Sequence, residues 1–127
     1  ARLCASLGLK DVMLSPELTL PQIRDINASK SVIVYGRIPV MLLTKPVQES
    51  SLTDKTGAKF PIISGHSHTN VIYNSLPGYR IDRKSELKKA GVGLMTLLFT
   101  TETEKQMDEV ISLYSSGEKP TFPYTRK

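Results

Sequence analysis

One cysteine, Cys4, stands in 127 residues. That excludes an intrachain disulfide and a cysteine-built metal cluster, and it fits a reducing compartment. Long apolar runs are absent as well. A membrane helix needs ~20 apolar residues, whereas the longest run, Ile38 to Leu43, has six and contains a proline. No signal-peptide pattern opens the chain, so a cytoplasmic location is expected. The chain starts at Ala1 rather than Met, as a cut or processed segment would. No Gly-rich phosphate loop follows any candidate strand, which leaves a nucleotide fold without support.

Charge is present but not concentrated. Seventeen Lys and Arg against twelve Asp and Glu give a formal +5. The basic residues are scattered among acids, with Lys88-Lys89, Arg126-Lys127 and, beside Asp82, Arg83-Lys84 as adjacent pairs. Neither an Arg-rich helix nor an aromatic RNA-binding signature occurs, so a solvated basic surface is favoured over a nucleic-acid site. Cys4 lies with Leu3 and Leu7 on one helix face and reads as a small buried hydrophobe.

The chain alternates between strand and helix patterns. Residues 1–7 read as a helix stopped by Gly8, and Asp11 to Ser15 as a short apolar strand. Thr19 is a good N-cap for a helix over 19–27, with Pro21 in the first turn, where no donor is lost. Ser31 to Gly36 is β-branched and continuously apolar, as suits a strand buried on both faces. The middle differs. Residues 48–57 are polar and turn-rich, and Lys59 to Ile63 and Asn70 to Asn74 read as strands around a turn at 64–69. A small antiparallel β insertion at about 44–75 is expected. Helices at 82–90 and 102–115, with a strand at 94–99 between them, resume the alternation, and Thr101 is a candidate cap for the last helix. Gly91 and Gly117 stand where helix C-termini favour glycine. Residues 118–127 form a Pro-containing tail without a packing period, read as a tail or linker to a missing segment. Strand–helix alternation implies a parallel sheet with right-handed crossovers, in about three βα units. Those are too few to close an eight-stranded barrel.

Chemistry-bearing residues sit at the strand ends. Glu17, just after the first strand, is a candidate acid, base or substrate-positioning group, and equally a cap for the next helix. Tyr35 and Arg37 end the second strand. The Arg37 fork suits a carboxylate or phosphate, and the structural alternative is an ion pair with Glu17 across neighbouring strand ends. Asn74 and Ser75 end the insertion's return strand and are candidates for the same rim. His66 and His68 form the only histidine pair. A metal needs three or four ligands, so an exposed hairpin tip is the favoured reading and no metal or other cofactor is expected. Asp54 reads as a loop-supporting carboxylate.

Five stretches, in this order, carry a family resemblance. They are Leu14-Ser-Pro-Glu-Leu-Thr-Leu with Gln22-Ile, Val34-Tyr-Gly-Arg-Ile-Pro-Val-Met, Leu52-Thr-Asp-Lys-Thr-Gly-Ala-Lys-Phe-Pro, Val71-Ile-Tyr-Asn-Ser and Phe99-Thr-Thr-Glu. Together they resemble the U32 peptidases, the collagenase-like proteases, over residues 7–117. The resemblance implies the C-terminal part of the family's core domain, a partial TIM-like α/β barrel, with a peptide or collagen-like substrate. It also implies that the segment is inactive alone. Its iron–sulfur branches place cysteines after the Pro-x-Met segment and before the Ile-x-Asn-Ser segment. Here the first region reads Thr44-Lys-Pro-Val-Gln-Glu-Ser-Ser, and His68 stands near the second. A cubane cluster needs about four thiolates, so cluster chemistry is not carried over. Two other readings stay open: a U32-like hydroxylase relative acting on RNA or a small molecule, and a non-catalytic scaffold. A partial barrel would also expose unpaired edges, so self-association of the isolated segment is expected.

Overall fold

The computed structural model describes residues 2–126. They form two four-stranded sheets. In the first, β2 (Lys30–Gly36) is central. β8 (Val92–Leu98) runs parallel along one of its edges. The other edge is shared: β1 (Val12–Met13) pairs in parallel with Lys30 and Ser31, and β7 (Gly78–Tyr79) pairs antiparallel with Tyr35 and Gly36. The second sheet is wholly antiparallel, in the order β3 (Pro39–Leu43), β6 (Asn70–Tyr73), β5 (Lys59–Ser64), β4 (Ser51–Thr53).

The expected partial TIM-like barrel of about three parallel βα units is therefore not formed. Eight strands in two mixed or antiparallel sheets replace it, and neither sheet closes. The reason lies at the end of β2. No helix follows it. The chain passes through Arg37 and Ile38 straight into β3, so the expected insertion begins one strand earlier and becomes a sheet of its own. On its return, the chain lays β7 antiparallel beside β2, beyond the end of the two-residue β1, where a barrel would continue with parallel strands.

Local rules account for the elements. Thr19 caps α2 (Leu20–Asp25) in a capping box, with Gln22 reaching back to the Thr19 N–H at 2.9 Å. At the other end of α2 the ammonium of Lys30, itself buried, donates to the carbonyls of Ile23 (2.5 Å) and Ile26 (2.8 Å). A cation at a helix C-terminus satisfies carbonyls that lack partners and complements the helix dipole. A single 3-10 turn, Ile81–Arg83, leads into α3 (Lys84–Lys89). The last helix, α4 (Glu104–Ser116), is capped by Thr103 rather than Thr101, again in a box with Gln106, and ends at Gly117 in the left-handed conformation.

One core joins the first sheet to its helices. Val32 and Val34 of β2, Val92 of β8, Ile23 of α2, Leu87 of α3, Val110 of α4 and Tyr79 and Ile81 are all buried. The tail packs against this core. Phe122 lies edge-on to Tyr35 and Tyr79, with ring centroids at 6.1 and 6.3 Å, and Tyr124 packs on Tyr79 at 5.3 Å. Thr125 ties it in through backbone bonds to Pro77 (2.9 Å) and Tyr79 (3.0 Å). At the opposite end of the chain, α1 (Arg2–Ser6) buries no residue and leaves Leu3 and Leu7 exposed, so the expected apolar contact of that helix face is not made among the described residues. No helix among the described residues is long and apolar enough to cross a membrane.

Candidate functional site

The carboxyl ends of β1 and β2 open onto a cleft of about 850 Å³. In open sheets with parallel strands, this is the end at which ligands bind. One wall is the loop after β1 with the start of α2, including Glu17, Leu18 and Leu20. The other is Ile38, Pro39 and Val40, where β2 passes into β3. Arg80, Arg83 and Leu87 also line it, with Asn74, Thr125 and Arg126.

Each side chain has a definite setting. Glu17 is exposed, on a loop whose backbone is held from below. Arg80, following β7, donates from Nη2 to the Pro16 carbonyl at 2.6 Å and from Nη1 to the Leu18 carbonyl at 3.3 Å. This arginine fixes the loop carrying Glu17. Burial, and then the positive charge of Arg83, push its pKa below the ordinary arginine value. Arg126 is paired with Asp82 at 3.2 Å. Arg80, Arg83 and Arg126 thus line the cleft with Glu17, but Asp82 offsets Arg126 and backbone carbonyls engage Arg80.

Arg37 turns to a different task. Its Nη1 donates to the Asn74 carbonyl at 2.9 Å and to the Ser75 carbonyl, while its Nε is buried without a partner. It staples the β6–β7 loop to the end of β2. Neither ion pair found among the described residues joins Glu17 to Arg37. Three of the sequence candidates, Arg37, Asn74 and Ser75, therefore meet through backbone carbonyls, and Asn74 shares the cleft with Glu17. Tyr35 belongs to the core. It is buried, stacks near Phe99 at 5.7 Å, and donates to Glu102 Oε1 at 3.0 Å. Burial, then the hydrogen bond to Glu102 and its negative charge, raise the Tyr35 pKa well above the usual phenol range. Glu102 Oε2 in turn accepts from the N–H groups of Thr100 (2.6 Å) and Thr101 (3.0 Å), joining the end of β8 to Tyr35.

His66 and His68 are exposed on the turn joining β5 and β6, and Ser67 and His68 both have positive φ there. No cluster of three or more His, Cys, Asp or Glu among the described residues is placed to hold a metal. Asp54 accepts from Thr56 N (2.8 Å), Thr56 Oγ1 (2.6 Å) and Ala58 N (3.0 Å), which supports its loop and lowers its pKa, the Thr56 hydroxyl contributing most.

Arg80 and Arg83 were not among the residues the sequence singled out. Their one signal is the Pro77-Gly78 turn just before them, which gives no hint that the chain returns beneath Glu17. No Cys, His or Ser is among the described lining residues, so what the cleft offers chemically is apolar walls, guanidiniums and one carboxylate. No family model, no curated protein and no solved structure matches the chain.

Proposed function

We propose that this chain forms the substrate-binding wall of a U32-type, collagenase-like peptidase, and that it binds peptide without cleaving it unaided. The observation that carries this reading is the cleft at the carboxyl ends of β1 and β2. It is bounded by two of the stretches that resemble the family, Leu14–Leu20 and Val34–Met41. Apolar walls with a few fixed polar groups are the usual make-up of a ligand cleft. Glu17 positions or polarises a peptide group, and Arg83 receives a carboxylate. The nucleophile or activated water comes from chain outside these residues. The test has two parts. Fluorescence anisotropy with a labelled gelatin peptide should show saturable binding to this chain, weakened by Glu17→Gln and by Arg83→Met. The protein at its gene-encoded length should cleave gelatin, and Glu17→Gln should reduce that cleavage while leaving thermal stability unchanged. Absence of both binding and cleavage overturns the reading.

A second reading, a non-catalytic assembly domain, is favoured by the exposure of Val40, Met41 and Leu42 on β3. It predicts concentration-dependent association without gelatin cleavage. Sedimentation velocity alongside the cleavage assay separates the two.

A further inference from the structure

Residues 118–126 leave α4 at Gly117 and return across the first sheet to the cleft. They are held unevenly. Near the helix, the Glu118 carbonyl accepts from the Tyr79 hydroxyl at 2.5 Å. Phe122 then lies edge-on to both Tyr35 and Tyr79, which are buried. Beyond Phe122 the hold thins. Pro123 and Arg126 are exposed, and Tyr124 and Thr125 are only partly covered. A single parallel bridge sets Thr125 beside Gly78. Its two bonds run from Thr125 N–H to the Pro77 carbonyl (2.9 Å) and from Tyr79 N–H to the Thr125 carbonyl (3.0 Å). Arg126 closes the segment onto Asp82 at 3.2 Å, with side chains 49% and 13% exposed. An ion pair this open to water adds little hold. The β2–β8 ladder, in contrast, runs over six paired positions. A segment with few buried contacts and little ladder opens locally, well before the whole fold does.

This weakly held tip is also part of the cleft wall. Thr125 and Arg126 line the cleft, as does Leu87, which is 1% exposed. Lifting the tip removes one guanidinium from the wall and leaves Asp82 without that partner. It also bares the outer edge of β7 at the Tyr79 N–H.

We infer that residues 123–126 form a strap over one side of the cleft. It is anchored at Phe122, latched by the Thr125 bridge and the Arg126–Asp82 pair, and opens while the rest of the fold stays closed. The anchor keeps the tip close, so the strap recloses without a search. Opening widens the cleft whatever the cleft binds.

Amide hydrogen exchange by NMR on the whole chain tests the strap without any ligand. Tyr79 and Thr125 share the latch. The Arg80 N–H, donated to the Val34 carbonyl at 2.8 Å, reports on the sheet next door. Tyr79 and Thr125 should exchange at matched protection, at least tenfold below that of Arg80 and insensitive to low urea. Asp82→Asn and Arg126→Met should each lower protection of both amides about threefold, leave Arg80 unchanged, and add nothing when combined. Thr125→Pro, which removes the donor to Pro77, should hold the strap open. In that variant a soluble nitroxide should broaden the Leu18 and Leu87 methyl resonances more than in the native chain, with Arg80 still protected. Equal protection of Tyr79, Thr125 and Arg80 in the native chain means a fixed wall and overturns the inference. Unmatched exchange of Tyr79 and Thr125 overturns it too, as does additive loss in the double variant. Unchanged Leu18 and Leu87 broadening in folded Thr125→Pro shows that the segment does not cover the cleft, and is equally fatal. Failure of gelatin peptides to bind removes the peptide reading alone, since no readout here uses one.

Discussion

Replacing Gly36 with alanine strikes the point where the first sheet hands the chain to the second. Gly36 has φ +143°, and a Cβ built there lies 2.5 Å from the Leu98 carbonyl oxygen and 2.7 Å from the Leu98 Cβ. Ordinary contacts begin near ~3.5 Å, so the overlap is about 1 Å against β8, and much of it is with backbone. Gly36 and Leu98 are paired across the parallel ladder, which must open at that end to admit the methyl group. Overpacking of this kind costs roughly 1–3 kcal/mol, and holding an L-residue in a glycine region a further 1–3 kcal/mol. Reduced freedom of the unfolded chain returns about 0.4–1 kcal/mol. A net loss near ~3 kcal/mol is expected, read by urea denaturation with the m-value unchanged. Gly57→Ala is the control. Gly57 also has positive φ, +85°, but a Cβ there meets nothing within 4 Å, so only the backbone penalty, about 1 kcal/mol, applies. If Gly36→Ala loses no more stability than Gly57→Ala, the close approach of β2 and β8 is wrong.

Other perturbations follow from the same contacts. Lys30→Met leaves the Ile23 and Ile26 carbonyls without their buried donor and should lower stability by about 2 kcal/mol in urea melts. Arg80→Met releases the Pro16 and Leu18 carbonyls, and hydrogen exchange should show faster opening at 15–20 with little change in β3–β6. Tyr79, raised from the ordinary 10.0 to about 12 chiefly by burial, should titrate late in ultraviolet absorbance. Between those two values the unfolded chain gives up this proton and the folded chain keeps it, so stability falls as pH rises through that window. The Asp54 pKa is lowered, so the protection of its loop should persist through the ordinary aspartate range on acidification and be lost only below it, visible as a low midpoint in carboxylate NMR titration.

What the sequence revealed was local. Thr19, Pro21, Gly91 and Gly117 mark helix ends because caps depend on a few adjacent residues. β2 was legible because burial on both faces leaves a continuous β-branched run. β4 and β7 were not. One is three mostly exposed residues and the other is two, and their pairing with Lys59–Pro61 and with Tyr35 and Gly36 holds them in place. The tail lacked a period because it packs through two aromatics and backbone bonds instead of a helical or strand face. The barrel expectation failed at a single junction, where Arg37 and Ile38 continue β2 into β3 and no helix turns the chain back. At the site, Glu17 and Asn74 were named from strand ends and do share the cleft, whereas Arg37 proved to be a loop staple. The cleft arginines Arg80 and Arg83 were beyond sequence reasoning, since 62 residues separate Arg80 from the Leu18 carbonyl it holds.

The cleft itself is tested most directly by titrating the nitrogen-15-labelled chain with a gelatin peptide and following the amide resonances. The account predicts saturable shifts confined to the loop and helix start at 16–20, to 38–42 at the β2–β3 passage, and to 80–83, all lost together in Arg83→Met. Shifts centred on the β4–β5 and β5–β6 turns, or no shifts at millimolar peptide with the chain folded, would contradict it.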